Sequence, residues 1–183
     1  MEKKKKILPL IVLGAVLLLG AVLLLTRGTG STEEAAVNSA CEAFFDAYAQ
    51  GDGQAAGARL TGGGGAMELG ALTGTVARQT QAELGQMQKA EDGTVTVPAQ
   101  ITTVDLQAVL NGIPESVTDP EMAAQWMEEA MAAPDVQKKT FEVEIAMEQE
   151  EQQWKIAMTP ELADALIGGY YSMLSGIMQE GDS

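Results

Sequence analysis

Residue types that commonly carry chemistry are scarce in this chain. It has no histidine and a single cysteine, Cys41, among 183 residues. Without an imidazole there is no Ser-His-Asp or Cys-His relay, and without several thiolates there is no ordinary zinc site. Cys41 cannot close an intrachain disulfide, and its place in an apolar helical stripe reads it as a small buried hydrophobe. The run Gly62 to Gly65 lacks the following Lys and Ser/Thr of a phosphate loop and reads as a connection. The densest potential ligand set is acidic: Glu142, Glu144 and Glu148 share one side of an alternating segment. Such a row can meet a divalent cation, but it lacks the loop spacing and carbonyl ligands of a calcium site, so it reads as a solvated face. Residue types and spacing therefore assign no catalytic residue, metal ligand or cofactor.

Charge and hydropathy say more about where the chain sits. Ile7 to Leu25 is a run of nineteen residues without a charge. As a helix it would reach roughly 28 Å, close to the ~30 Å hydrocarbon core of a bilayer. It is longer than the apolar region of a cleaved signal, and no A-x-A-like site follows it. The NSAC stretch at Asn38–Cys41 lacks the leucine-like residue that a lipidation box needs. A single-pass anchor over residues 7–25 is expected, with 1–6 as a basic tip and 26–32 as a tether. Lys3 to Lys6 outnumber the lone Arg27 beyond the run, which predicts a cytoplasmic N-terminus and an extracytoplasmic remainder. The first thirty residues hold five basic and one acidic residue, leaving six basic against twenty-five acidic, a net charge of −19. A surface of that sign repels phosphate backbones, so nucleic-acid binding is excluded.

The remaining stretch, 33–179, is the length of one domain with one core. Val37, Cys41, Phe44, Phe45 and Tyr48 recur at helical spacing, with Ser31 and Glu34 as a capping box and Gly51 as a stop. A short helix is expected over Gln54–Leu60. Residues 66–93 are ambiguous: a helix can start at Met67–Leu72, and Gln79–Lys89 fits helix or polar strand. Asp92-Gly93 signals a turn, after which Val95, Val97, Ala99 and Ile101 alternate as a half-buried strand. Pro98 lacks a ladder donor and should lie at an edge or a bulge. Asp105 caps a short helix, and Asp119-Pro120-Glu121 opens another that carries Met122, Trp126, Met127 and Met131. That Met/Trp stripe is expected to pack on a sheet, although it could also accept an apolar ligand or a partner helix. Phe141, Val143, Ile145 and Met147 form the dry side of a hairpin, a charged turn covers Gln149–Gln152, and Trp154, Ile156 and Met158 return inward. Thr159-Pro160-Glu161 caps a closing helix through Ile177, in which Gly168-Gly169 implies close backbone contact or a break.

The order of these elements carries a resemblance. An opening helix ending in AYAQGD, a VTVPAQITTVDL strand, the hairpin FEVEIAMEQEEQQWKI and the helix TPELADALIGG together resemble the nuclear-transport-factor-2-like superfamily over residues 33–170. The resemblance is greatest to bacterial members carried outside the cell on an anchor or a lipid. It implies an α+β cone, with helices packed into the concave face of a curved antiparallel sheet and often a pocket at the open end. The segment Pro114–Pro134 is longer than a minimal cone needs. Were there a ligand pocket, Phe44, Tyr48, Trp126 and Trp154 would be its walls, for a small apolar or cationic ligand. Were the chain an isomerase- or lyase-like enzyme, Asp46, Asp105 and Tyr48 would be its candidates, but no motif of such enzymes is present. The reading that follows is a non-catalytic module, held at the membrane and contacting an envelope protein or peptide.

Overall fold

The computed structural model describes residues 32–62 and 65–180, with side chains as far as residue 175. The core of the described residues lies wholly within the unit Ala36–Ser183. The expected anchor at 7–25 and the Ser31 cap lie outside the described residues. Among the described residues, no helix is long and apolar enough to cross a membrane.

The architecture is α+β, with helices and a curved antiparallel sheet. Helix α1 is Thr32–Ala49, α2 Gly53–Gly57 and α3 Ala71–Arg78. Strands β1 (Gln81–Leu84), β2 (Gln88–Lys89) and β3 (Val95–Val104) follow, then helices α4 (Leu106–Asn111) and α5 (Pro120–Ala132). The chain closes with the hairpin β4 (Lys138–Glu150) and β5 (Gln153–Ala157) and helices α6 (Pro160–Leu166) and α7 (Tyr170–Glu180). The sheet order is β1-β3-β4-β5, and β2 pairs with β3 beside β1.

Alternation drives the sheet. Val95, Val97, Ala99 and Ile101 of β3 are buried, and so are Val143, Ile145 and Met147 of β4. Because side chains on a strand alternate with period two, the intervening Gln100, Glu142, Glu144 and Glu148 face water. The register Val97↔Ile145 and Ala99↔Val143 sets the apolar residues opposite one another. Onto this dry face packs α1, whose Val37, Cys41, Phe44, Phe45 and Tyr48 are buried at helical spacing. Leu162, Ala165 and Leu166 of α6 join the same cluster.

Three expectations needed correction or resolution. Gln79–Lys89, which fits helix or strand as sequence, contains β1 and β2. These polar segments become strands because β3 offers them an edge (Leu84↔Ala99, Gln88↔Thr96). Pro98 lies at a bulge, one of the two places expected for it: between Leu84↔Ala99 and Gln88↔Thr96, residues 85–87 of the partner side face residues 97–98 of β3. Its missing donor costs little, because the β1–β2 partner is interrupted there and Gly85 N–H donates to the Pro98 carbonyl at 2.7 Å. The Met/Trp helix, α5, packs mainly on α3 and α4 and meets the sheet only at its end, at Val104 of β3.

The helix ends are built from local chemistry. Asp105, Asp119 and Thr159 each accept a backbone N–H as N-caps. At the end of α1, Gly51 N–H donates to the Tyr48 carbonyl and Asp52 N–H to that of Ala47, the pairing of a Schellman motif. The same motif ends α6: Gly168 N–H bonds Ala165 and Gly169 N–H bonds Asp164. The expected closing helix is thus two helices, broken where Gly168 and Gly169 take φ of +70° and +83°. Close contact is present as well, since a Cβ on Gly168 would lie 2.5 Å from the Val104 carbonyl oxygen. The hairpin turn is shorter than Gln149–Gln152. It consists of Glu151 and Gln152, both with positive φ (49° and 66°), a conformation that favours Asn-Gly. Met158 lies beyond β5 and is 38% exposed.

Two predictions follow from this geometry. Replacing Glu151-Gln152 by Asn-Gly relieves two unfavourable backbone conformations, and chemical denaturation should record a gain of about 1 kcal/mol. Gly168→Ala combines a left-handed φ with a backbone clash, and the same measurement should record a loss of about 2–3 kcal/mol.

Candidate functional site

The pocket residues expected from the sequence fall into two places. Phe44 and Tyr48 are fully buried on α1, their rings stacked with centroids 6.1 Å apart, and Phe45 meets Phe44 edge-on at 5.1 Å. Trp154 of β5 is half-buried against the same cluster. Trp126 of α5 belongs to a second cluster, with Val76, Val104, Val109 and Met131. Three of the four therefore share one apolar mass and the fourth does not.

The Tyr48 and Cys41 side chains within that mass are engaged, whereas Asn38 Oδ1 on α1 is buried without a hydrogen-bond partner. The Tyr48 hydroxyl donates to the Leu166 carbonyl at 2.7 Å. Leu166 closes α6, so its carbonyl has no partner one turn on, and the phenol supplies the missing donor across the core. Burial pushes the Tyr48 hydroxyl pKa well above its ordinary value. Cys41 lies 3.5 Å, sulfur to sulfur, from Met147. Burial, with a smaller push from the Glu42 charge, raises its thiol to about 12. A thiol held there is protonated at neutral pH and is neither nucleophile nor metal ligand.

The carboxylates named as candidate acids do not face this interior. Asp46 is exposed on α1. Asp105 is half-buried, and its side chain accepts the Ala108 N–H at 3.1 Å as the cap of α4. Glu150 accepts the Gly62 N–H at 2.9 Å and pairs with Lys155 at 3.4 Å, and these contacts hold its carboxyl below the usual range. They tie the glycine-rich connection to the hairpin.

Two surface depressions are formed by described residues, and none of the four aromatic candidates lines either. One, about 530 Å³, lies on the wet side of the sheet among Glu83, Gly85, Pro98, Gln100, Glu142 and Glu144. Register creates it: Glu83 pairs with Gln100, which pairs with Glu142, so three strands contribute to one acidic row. The sequence discloses only the Glu142–Glu148 part of that row, because the partner of Glu83 depends on a pairing 17 residues away. Among the described residues, no group of three or more acidic or sulfur side chains is placed to hold a metal ion.

The other depression, about 620 Å³, runs past Phe141, Glu161, Asp164, Tyr171 and Ser175. Sequence reasoning missed Asp164. It is 9% exposed, accepts the Tyr171 and Ser172 N–H groups at 2.7 and 3.1 Å and also takes the Ser172 hydroxyl. It serves as the N-terminal cap of α7, supplied from the preceding helix across the glycine break. A chain that folds back through two left-handed residues is needed to bring it there, and no local cap pattern announces that.

Titration of the core should appear at alkaline pH. Tyr48 and Cys41 both have folded-state pKa values above the ordinary 10.0 and 9.0. Their contribution is complete below pH 9 and falls as pH rises above those ordinary values, because only the unfolded chain ionises there. Each group adds up to about 1.4 kcal/mol per pH unit of slope. Tyr48→Phe should lose about 1–2 kcal/mol at pH 7 by leaving the Leu166 carbonyl unpaired, and should flatten the alkaline limb. Denaturation curves between pH 7 and 10.5 measure both effects.

Compared with known proteins, the chain matches no family model, no curated protein and no solved structure.

Proposed function

We propose that this protein is a non-catalytic binding module, held at the membrane by residues 7–25, whose domain lies outside the cytoplasm and contacts another envelope protein or peptide. The observation that carries the reading is the commitment of the interior. Phe44 and Tyr48 fill the core, the Tyr48 hydroxyl is spent on Leu166, and the Cys41 thiol is held protonated. Chemistry on a bound substrate needs a poised acid, base or nucleophile facing a cavity. The candidates Asp46 and Asp105 instead stand in solvent and at a helix cap. What the domain offers to other molecules is its outside.

That outside has features suited to contact. Tyr170, Tyr171 and Leu174 of α7 are exposed at 39%, 55% and 37%, and tyrosines are favoured at interfaces because one end is apolar and the other wet. The wet side of the sheet is strongly acidic, which favours cationic partners and repels nucleic acid. Membership of the nuclear-transport-factor-2-like superfamily, with the cone that it implies, belongs to the same proposal. It is supported by the long α1 packed on the dry face of an antiparallel sheet and by the β4–β5 hairpin with its acidic outer side. The long α4–α5 segment is a departure from the minimal form.

Two outcomes are expected in intact cells. External protease should remove the domain and leave a small membrane-held fragment. A photo-crosslinking residue at Tyr171 should yield one discrete heavier adduct with a membrane or envelope protein. Protection of the domain from external protease would end the topological half of the proposal, and repeated absence of any adduct would end the binding half.

A further inference from the structure

The second cluster sets α5 apart from the rest of the domain. Of its thirteen residues only Met131 is buried, while Met122 is 59% exposed. Trp126, Met127 and Ala130 are half-buried against Val76, Val104 and Val109. Among the described residues, the polar contacts of α5 stay local. Asp119 caps it, and Gln125 donates to Glu129 at 3.2 Å. No described hydrogen bond or ion pair joins α5 to another element, so apolar contact alone holds it down.

Its charges do not help. Glu128 and Glu129 stand near the C-terminal end, and no basic residue is in the last turn. That end is the negative pole of the helix, so the carboxylates oppose the dipole. Both flanks lie outside the strands, and Val136 of the second packs against the same cluster. Residues 112–119 form a turn bounded by the Val117 N–H to Pro114 bond, and the far side is pinned by Asp105 N–H donating to the Gln137 carbonyl at 2.9 Å. The main core, by contrast, combines ten rungs between β3 and β4 with nineteen buried residues.

We infer that α5 is a flap: it detaches as one unit, pivoting between residues 112–119 and 133–137, while the β3–β4 sheet and α1 stay folded. Detachment uncovers Trp126, Met131 and an apolar floor of Val76, Val104 and Val109. An isolated helix of thirteen residues does not hold its hydrogen bonds in water. Opening therefore reads out as exchange of the α5 amides, at a lower free energy than global unfolding. The device is independent of the proposed function, because it rests on the packing of α5 alone.

Native-state hydrogen exchange on the full chain in detergent micelles, across low urea concentrations, tests it. The α5 amides from Ala123 to Ala132 should exchange with one shared rate, at least about a hundredfold faster than those of Ile101 and Ile145, and with a shallow urea dependence. Met131→Ala should speed the α5 amides about tenfold or more and leave Ile101 and Ile145 unchanged. Equal rates and equal urea slopes for α5 and the strands would overturn the inference, as would a gradient of rates along α5. Should Met131→Ala not fold, the wild-type rates decide the question alone.

Discussion

Ten antiparallel rungs running from Val95↔Met147 to Val104↔Lys138 fix which side of this domain is dry. A slip of one residue along that ladder would turn Val143, Ile145 and Met147 to water and bring Glu142, Glu144 and Glu148 against Phe44. Because Val95 to Ile101 and Phe141 to Met147 both alternate, any slip by an odd number of residues sets acidic side chains against apolar ones. Everything else is arranged around that choice. Helix α1 supplies the aromatic filling, α6 closes the layer, and the Tyr48 hydroxyl joins the two by satisfying the last carbonyl of α6. The glycine pair after α6 then redirects the chain, and Asp164 starts the next helix. The order of dependence runs from ladder to helix to turn.

In this arrangement the Tyr48 hydroxyl and the Cys41 thiol are engaged inside the fold, while acidic and aromatic side chains stand outside. A buried phenol and a buried thiol are both raised by desolvation, so neither ionises at neutral pH. Carboxylates are plentiful: Asp46 lies on a helix surface, Glu142 and Glu144 on the wet face of the sheet, and Asp105 and Asp119 at helix caps. The proposed binding role rests on this acidic, partly aromatic exterior. A second, smaller cluster beneath α5 adds a region held by packing alone, beside a main core held by packing and a ladder together.

Local signals were the legible part of the sequence. Period-two alternation disclosed β3, β4 and β5 with their inward residues, and cap chemistry located the starts of α4, α5 and α6 at Asp105, Asp119 and Thr159. The illegible part depends on what a segment meets. β1 and β2 are polar and short, and only the free edge of β3 makes them strands. Trp126 has the spacing of a sheet-facing residue, yet α5 meets α3 and α4 first. Asp164 sits in an apolar helix with no visible purpose until the chain reverses and brings Tyr171 and Ser172 to it. The joining of Glu83 to Glu142 through Gln100 is likewise a fact of register and not of composition.

The central claim is an outward-facing acidic sheet over a closed interior, on the far side of a membrane. In a Cys41→Ala background, Glu144→Cys and Ile145→Cys place single thiols on opposite faces of β4. Treating intact cells with a membrane-impermeant maleimide measures both exposure and sidedness. The account predicts rapid modification at position 144 and none at 145 until the protein is denatured. Labelling of both alike, or of 144 only after the membrane is broken, would contradict it.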